Sequence, residues 1–202
     1  DTTSLSFTTS ADTSRGSGTW TQIGNDIDGE DTGDRSGSSV SISENGSVVA
    51  IAARQNDDNG TNSGHVRIYQ NVDGTWTQVG DSINGEATGD HSGSSISLSD
   101  DGSVIAIGTH RNDGNGTDSG HVRIYQNVNG TWTQIGDDID GEAAGDYSGY
   151  SVGLSDDGSV VAIGANQNAD NGNWSGHVRI YQNVAGAWTQ VGNDIDGEAA
   201  GD

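Results

Sequence analysis

The sequence predicts an all-β fold, a β-propeller-like array of four-stranded blades with about 56 residues to each repeat. Three observations predict it. Trp20, Trp76, Trp132 and Trp188 stand 56 residues apart, and nearly everything between them recurs in register. Short runs that alternate apolar and polar residues, or are continuously apolar, are separated by Gly, Asn, Asp and Ser clusters, which is strand-and-turn chemistry. No stretch sustains the 3.6-residue periodicity of a helix. The repeat divides the chain into a leader strand over 1–18, repeats over 19–74, 75–130 and 131–186, and a partial repeat over 187–202.

Each strand has its own justification. In the first period TWTQIG (19–24) pairs polar residues with Trp20, the first of the packing residues. SVSIS (39–43) places Val40 and Ile42 on one face and serines on the other. SVVAIAA (47–53) is a continuous apolar run ending in small residues, which suits a central strand covered on both faces. HVRIYQNV (65–72) sets Val66 and Ile68 on one face and His65, Arg67 and Tyr69 on the other. Glu44-Asn45-Gly46, Asp101-Gly102 and Asp157-Gly158 are predicted hairpin turns supplying positive φ. Trp20, Trp76, Trp132 and Trp188, with Tyr69, Tyr125 and Tyr181, are the expected packing residues between blades.

Composition narrows the function classes. Thirty acidic residues against seven basic ones give a net charge of −23, and every base is Arg. Such a surface repels nucleic acid and anionic lipid and attracts cations, so neither nucleic-acid binding nor membrane insertion is expected. The chain has no Cys, which excludes disulfides and thiolate metal sites. It opens on Asp1 without the basic and apolar regions of a signal peptide, as a processed product would, and this favours secretion.

The segments GDRSGSSVSIS (33–43), GDHSGSSISLS (89–99) and GDYSGYSVGLS (145–155) are each followed by a strand such as VVAIGA (160–165) and then by SGHVRIY. In order and spacing they resemble FG-GAP repeats, the blade repeats of integrin α-subunit heads and of many secreted bacterial and algal proteins. The Phe of the Phe-Gly pair is Ser36, Ser92 or Ser148 here, and Gly164-Ala165 stands without the Pro of the Gly-Ala-Pro triplet. The Asp-x-Asp-x-Asp-Gly calcium loop of the family is missing. The resemblance therefore implies a propeller fold and an extracellular or cell-surface setting, and it carries over no calcium site.

Candidate chemistry is sparse. The acidic stretch Asp26-Ile27-Asp28-Gly29-Glu30 recurs as Asp138-Ile139-Asp140-Gly141-Glu142, and its carboxylates are candidate Ca2+ ligands, against the alternative of a solvated acidic loop. Glu86 and Asp90 are alternatively structural partners of a repeated Arg such as Arg67. His65, His121 and His177 recur once per blade, too far apart to share a metal, so hydrogen bonding at a strand edge is their expected role. Asn45, Asn59, Asn115, Asn129 and Asn173 fit the N-glycosylation pattern. Because every candidate recurs in the same surroundings, no residue is singled out for catalysis, and the chain is expected not to be an enzyme.

The expected role is that of an extracellular structural or adhesive protein, self-associating through an incomplete blade and free strand edges into a head-to-tail polymer. A carbohydrate-binding propeller with Trp and Tyr as stacking platforms, and a calcium-dependent partner-binding head, are the alternatives. The partner in those cases is a glycan or a cell-surface protein.

Overall fold

The computed structural model describes residues 21–201, and the leader strand and Trp20 lie outside them. The fold is all-β, as the sequence predicts, and every strand pairing within a sheet is antiparallel. Among the described residues fifteen strands form three sheets. The first contains β1 (Ser36–Ile42), β2 (Val48–Ala53), β3 (His65–Val72), β4 (Thr75–Gln78) and β5 (Ile83–Asn84). The second contains β6 (Ser95–Leu98), β7 (Val104–Thr109), β8 (His121–Val128), β9 (Thr131–Gln134) and β10 (Ile139–Asp140). The third contains β11 (Ser148–Leu154), β12 (Val160–Ala165), β13 (His177–Val184), β14 (Ala187–Gln190) and β15 (Ile195–Asp196).

Four strands run in chain order across each sheet, and a fifth, two residues long, pairs with the start of the third. That fifth strand lies inside the acidic stretch, where the sequence suggested a loop. Two residues are too few for an alternating pattern to declare itself.

The hairpin between the first two strands turns on one positive φ rather than two: Gly46 at 70°, Gly102 at 71° and Gly158 at 70°. Gly46 N–H donates to Ser43 O at 2.9 Å, and Asn45 Oδ1 accepts from Ser47 N at 2.9 Å, so Asn45 acts through its side chain. Asp101 and Asp157 do the same in the later turns. The three hydrogen bonds that Asp157 accepts from Ser155 and Ser159 hold its carboxyl down to about 2.

Two cores lie between successive sheets. Val48, Ala50, Ala52, Val66, Ile68 and Ile83 of the first sheet pack on Ile96, Leu98, Ile105, Ile107 and Tyr125 of the second. Val104, Ala106, Val122, Ile124 and Ile139 pack in turn on Val161, Ile163 and Tyr181 of the third. In the middle sheet the continuously apolar second strand, β7, is thus covered on both faces, and full burial of a side chain such as Ile105 contributes about 1.5–3 kcal/mol.

Hydrogen bonds stitch the same interfaces. Leu98 N–H donates to Ser41 Oγ at 3.0 Å and Leu154 N–H to Ser97 Oγ at 3.0 Å. Trp132 Nε1 donates to Val79 O and Trp188 Nε1 to Ile135 O, both at 2.9 Å. The half-buried indoles are therefore anchors between neighbouring repeats.

Candidate functional site

The acidic stretch is the point where consecutive sheets meet. Its glycine is required by packing: a Cβ on Gly141 would run into the backbone carbonyl of Ser119, while Gly141 N–H donates to Gly120 O at 2.7 Å. Held this way, the chain leaves the second sheet at β10 and presents Glu142 to the third.

There the third-strand motif His-Val-Arg receives it. Arg179 Nη2 donates to Asp140 O, Arg179 Nη1 lies 3.7 Å from Glu142 Oε1, and His177 Nδ1 lies 3.6 Å from Glu142 Oε2. The same clamp joins Arg123 to Asn84 O at 2.8 Å and to Glu86 at 3.5 Å, and Arg67 to Asp28 O at 2.8 Å and to Glu30 at 3.6 Å. Each Arg also sits over the Tyr two residues on, with 5.6–5.7 Å from guanidinium carbon to ring centroid.

The candidate carboxylates of one stretch do not converge on a shared point. Asp26 accepts from Gln22, and Asp28 and Asp140 offer backbone carbonyls to Arg67 and Arg179. Asp138 lies 3.5 Å from His121 in the second sheet, whereas Glu142 belongs to the His177 group in the third. A single Asp-x-Asp-Gly-Glu run thus closes one cluster and opens the next.

Three clusters result among the described residues: Glu30, Asp58 and His65; Glu86, His121 and Asp138; and Glu142, Asp170, His177 and Asp194. In each, one side-chain donor atom per residue lies within 4.8 Å of all the others, close enough to hold a metal ion. The histidines are buried, while the carboxylates open toward solvent. Burial and the Arg123 charge depress His121 to about 4, with Asp138 opposing, so its imidazole is neutral at pH 7. Burial raises Glu86 despite Arg123, helped by Asp138, Asp90 and Asp140.

The histidines stay apart from one another, as expected. Each nonetheless gathers carboxylates from separate segments, and this convergence was missed. The signal lay in fixed offsets from the Glu, at +28, +35 and +52, rather than in any local motif. Glu86 pairs with an Arg one repeat further on than Arg67, whereas Asp90 instead accepts from Asn112 Nδ2 at 3.2 Å and Ala87 N at 3.1 Å.

Beside each clamp lies a cleft of about 440–500 Å3. Trp76 and Tyr69 line one with Asp26 and Asp28, Trp132 and Tyr125 the next with Asp81, and Trp188 and Tyr181 the third with Asp138 and Asp140. Among the Asn candidates, Asn59 and Asn115 spend Nδ2, the atom a glycan would occupy, on the carbonyls of Gly85 and Gly141 at 2.8 Å. Asn45, Asn129 and Asn173 are exposed.

Comparison with known proteins gives the fold a context. No curated protein is significantly similar in sequence. Among solved structures the chain is similar to a putative 6-phosphogluconolactonase from Bacteroides uniformis, at 16% identity and a TM-score of 0.54, over 78% of this chain and 39% of that one. A putative 6-phosphogluconolactonase from Bacteroides fragilis gives 16% and 0.52, over 78% and 38%. The hydrazine synthase of Kuenenia stuttgartiensis gives 11% and 0.50, over 78% and 36%. The chain thus spans about two fifths of the length of the structures it matches. These neighbours are β-propeller-like, and the likeness is one of fold.

They also correct the expectation that the chain is not an enzyme. Two putative 6-phosphogluconolactonases and a hydrazine synthase share this fold, so the fold is no argument against catalysis. Among the described residues no helix is long and apolar enough to cross a membrane. Residues 27–69 and 84–125 match the FG-GAP repeat model, each match running from the acidic stretch of one clamp to the Tyr two residues after the Arg of that same clamp. Over those two stretches the chain is FG-GAP-like.

Proposed function

We propose that the chain is an extracellular structural and adhesive blade array whose copies stack end to end, the first sheet of one receiving the third sheet of another. The observation that carries this reading is the pair of open faces. Val40 and Ile42 of β1 are 63% and 60% exposed, whereas Ile96 and Leu98, one repeat later, are each 8% exposed against the first sheet. At the other end Ile195 is 58% exposed, whereas its equivalents Ile83 and Ile139 are 7% and 6%. The two end faces are the two halves of an interface that this chain already makes twice internally. A second copy therefore supplies a partner of matching shape and chemistry, through a heterologous contact that propagates. The net charge of −23 opposes stacking at low salt and is screened in a saline exterior.

Negative-stain electron microscopy of the chain at high ionic strength tests the reading. Linear or closed stacks are expected, and isolated single particles at every salt concentration would overturn it. Exposed Asn45, Asn129 and Asn173 are the glycan acceptors compatible with this role in a eukaryotic secretory pathway.

The three Trp–Tyr clefts favour a second reading, in which the array binds glycans. Each combines an aromatic edge with carboxylates that can accept sugar hydroxyls. Glycan-array binding lost on changing Trp132 and Trp188 would support it, and a blank array would remove it. A calcium-dependent partner-binding head is the third reading, and a thermal midpoint indifferent to Ca2+ would exclude it.

A further inference from the structure

The three His–carboxylate clusters share one layout. Their positions are Glu30, Asp58, His65 and Ser82; Glu86, Gly114, His121 and Asp138; and Glu142, Asp170, His177 and Asp194. The first cluster lacks the last carboxylate and the second lacks the carboxylate at +28, yet each retains the other. No cluster falls below one imidazole and two carboxylates, and the third keeps the whole set.

The third cluster also carries an unexplained buried group. The side chain of His177 is inaccessible to solvent, and neither of its ring nitrogens has a hydrogen-bond partner. Nδ1 points between Glu142 Oε2 at 3.6 Å and Asp194 Oδ2 at 3.8 Å. Such separations are too long for hydrogen bonds. They are near the roughly 3.4 Å edge of a tetrahedron whose corners stand about 2.1 Å from a central ion.

We propose that each cluster binds one divalent transition cation of the zinc class through one imidazole nitrogen and two or three carboxylate oxygens, with the third cluster binding tightest. An imidazole donor suits such an ion, whereas calcium takes six to eight oxygens. The carboxylates are 22–51% exposed, which leaves an entry path and room for water to complete the coordination. The Arg of each clamp occupies the other oxygen of the Glu and fixes its orientation. In the first cluster the nearest contacts are split, Glu30 to His65 Nε2 at 3.6 Å and Asp58 to Nδ1 at 3.4 Å, so the nitrogen that binds the ion lies close to only one of the two carboxylates, and this site is the weakest. Cation binding at these clusters is independent of end-to-end stacking.

The test is calorimetric titration of the untagged, chelator-stripped chain with ZnCl2, beside CaCl2, with Co2+ absorption as a spectroscopic readout. Three Zn2+ equivalents are expected, one tighter than the others, together with the visible bands of tetrahedral Co2+. Asp170→Asn and Asp194→Asn alter solvent-facing carboxylates and leave the buried His in place. Each should weaken the tightest site about tenfold or more, and His177→Ala should remove one equivalent. Absence of saturable Zn2+ binding, affinity unchanged in both Asp variants, or Ca2+ binding as tight as Zn2+ would overturn the proposal.

Discussion

Glu86 follows the last strand of the first sheet and Arg123 lies in the second, and their side chains meet at 3.5 Å where the second sheet docks on the first. Arg123 also donates to Asn84 O, two residues before Glu86, so one guanidinium grips both the backbone and the carboxylate of the segment leaving the first sheet. Arg123→Lys removes this fork, because an ammonium cannot span both acceptors in one plane. The expected loss is about 1.5–3 kcal/mol in denaturant unfolding, the range for a buried hydrogen bond to a charged group. Glu86→Gln should cost less, since its carboxylate is half exposed.

Equivalent positions should respond differently according to what covers them. Leu98→Ala opens a cavity between the first and second sheets and should cost about 2–4 kcal/mol. Ile42→Ala, one repeat earlier on an uncovered face, should change the stability of the isolated chain by less than about 0.5 kcal/mol. Thermal or urea midpoints of the two variants make the comparison.

Gly102 adopts a φ of 71°, and a Cβ there would stand 2.7 Å from Cβ of Val48 in the preceding sheet. Gly102→Ala therefore strains the turn and the sheet contact together. A loss of about 1–3 kcal/mol is expected by urea denaturation.

His110 gives the chain a pH dependence. Burial, with Arg111, His91 and Arg54 nearby, depresses it to about 4, and the rings of Tyr147 and Tyr150 pack edge-on at 5.5 and 5.7 Å. A group whose folded pKa lies below its unfolded value of about 6.5 takes up its proton first in the unfolded chain. Its contribution is therefore fully present above pH 6.5 and is lost as pH falls toward 4. About 2 kcal/mol should disappear across that window after allowance for solvent screening. His110→Asn, which copies Asn166 one repeat later, should flatten this part of the profile.

The strands and their faces were legible because packing partners follow alternation: Val66 and Ile68 enter the core, while Arg67 and Tyr69, also buried, face the clamp. The two-residue fifth strand was not legible, because it has no periodicity and is defined by its pairing with His65 and Val66. The clusters were obscured for a related reason. Their members come from a loop, a strand start and two acidic stretches, so proximity depends on how one sheet leads into the next. The Asp-x-Asp-Gly-Glu run looked like a chelating loop, yet extended backbone at Ile139–Asp140 sends Asp138 and Glu142 to different neighbours.

Sedimentation velocity over a concentration series at high ionic strength bears most directly on end-to-end stacking. The native chain should sediment faster as its concentration rises, and Val40→Asp together with Ile42→Asp should abolish this growth without loss of folded structure. A native chain that sediments as a monomer throughout, or an Asp pair that assembles as well as the parent, would contradict it.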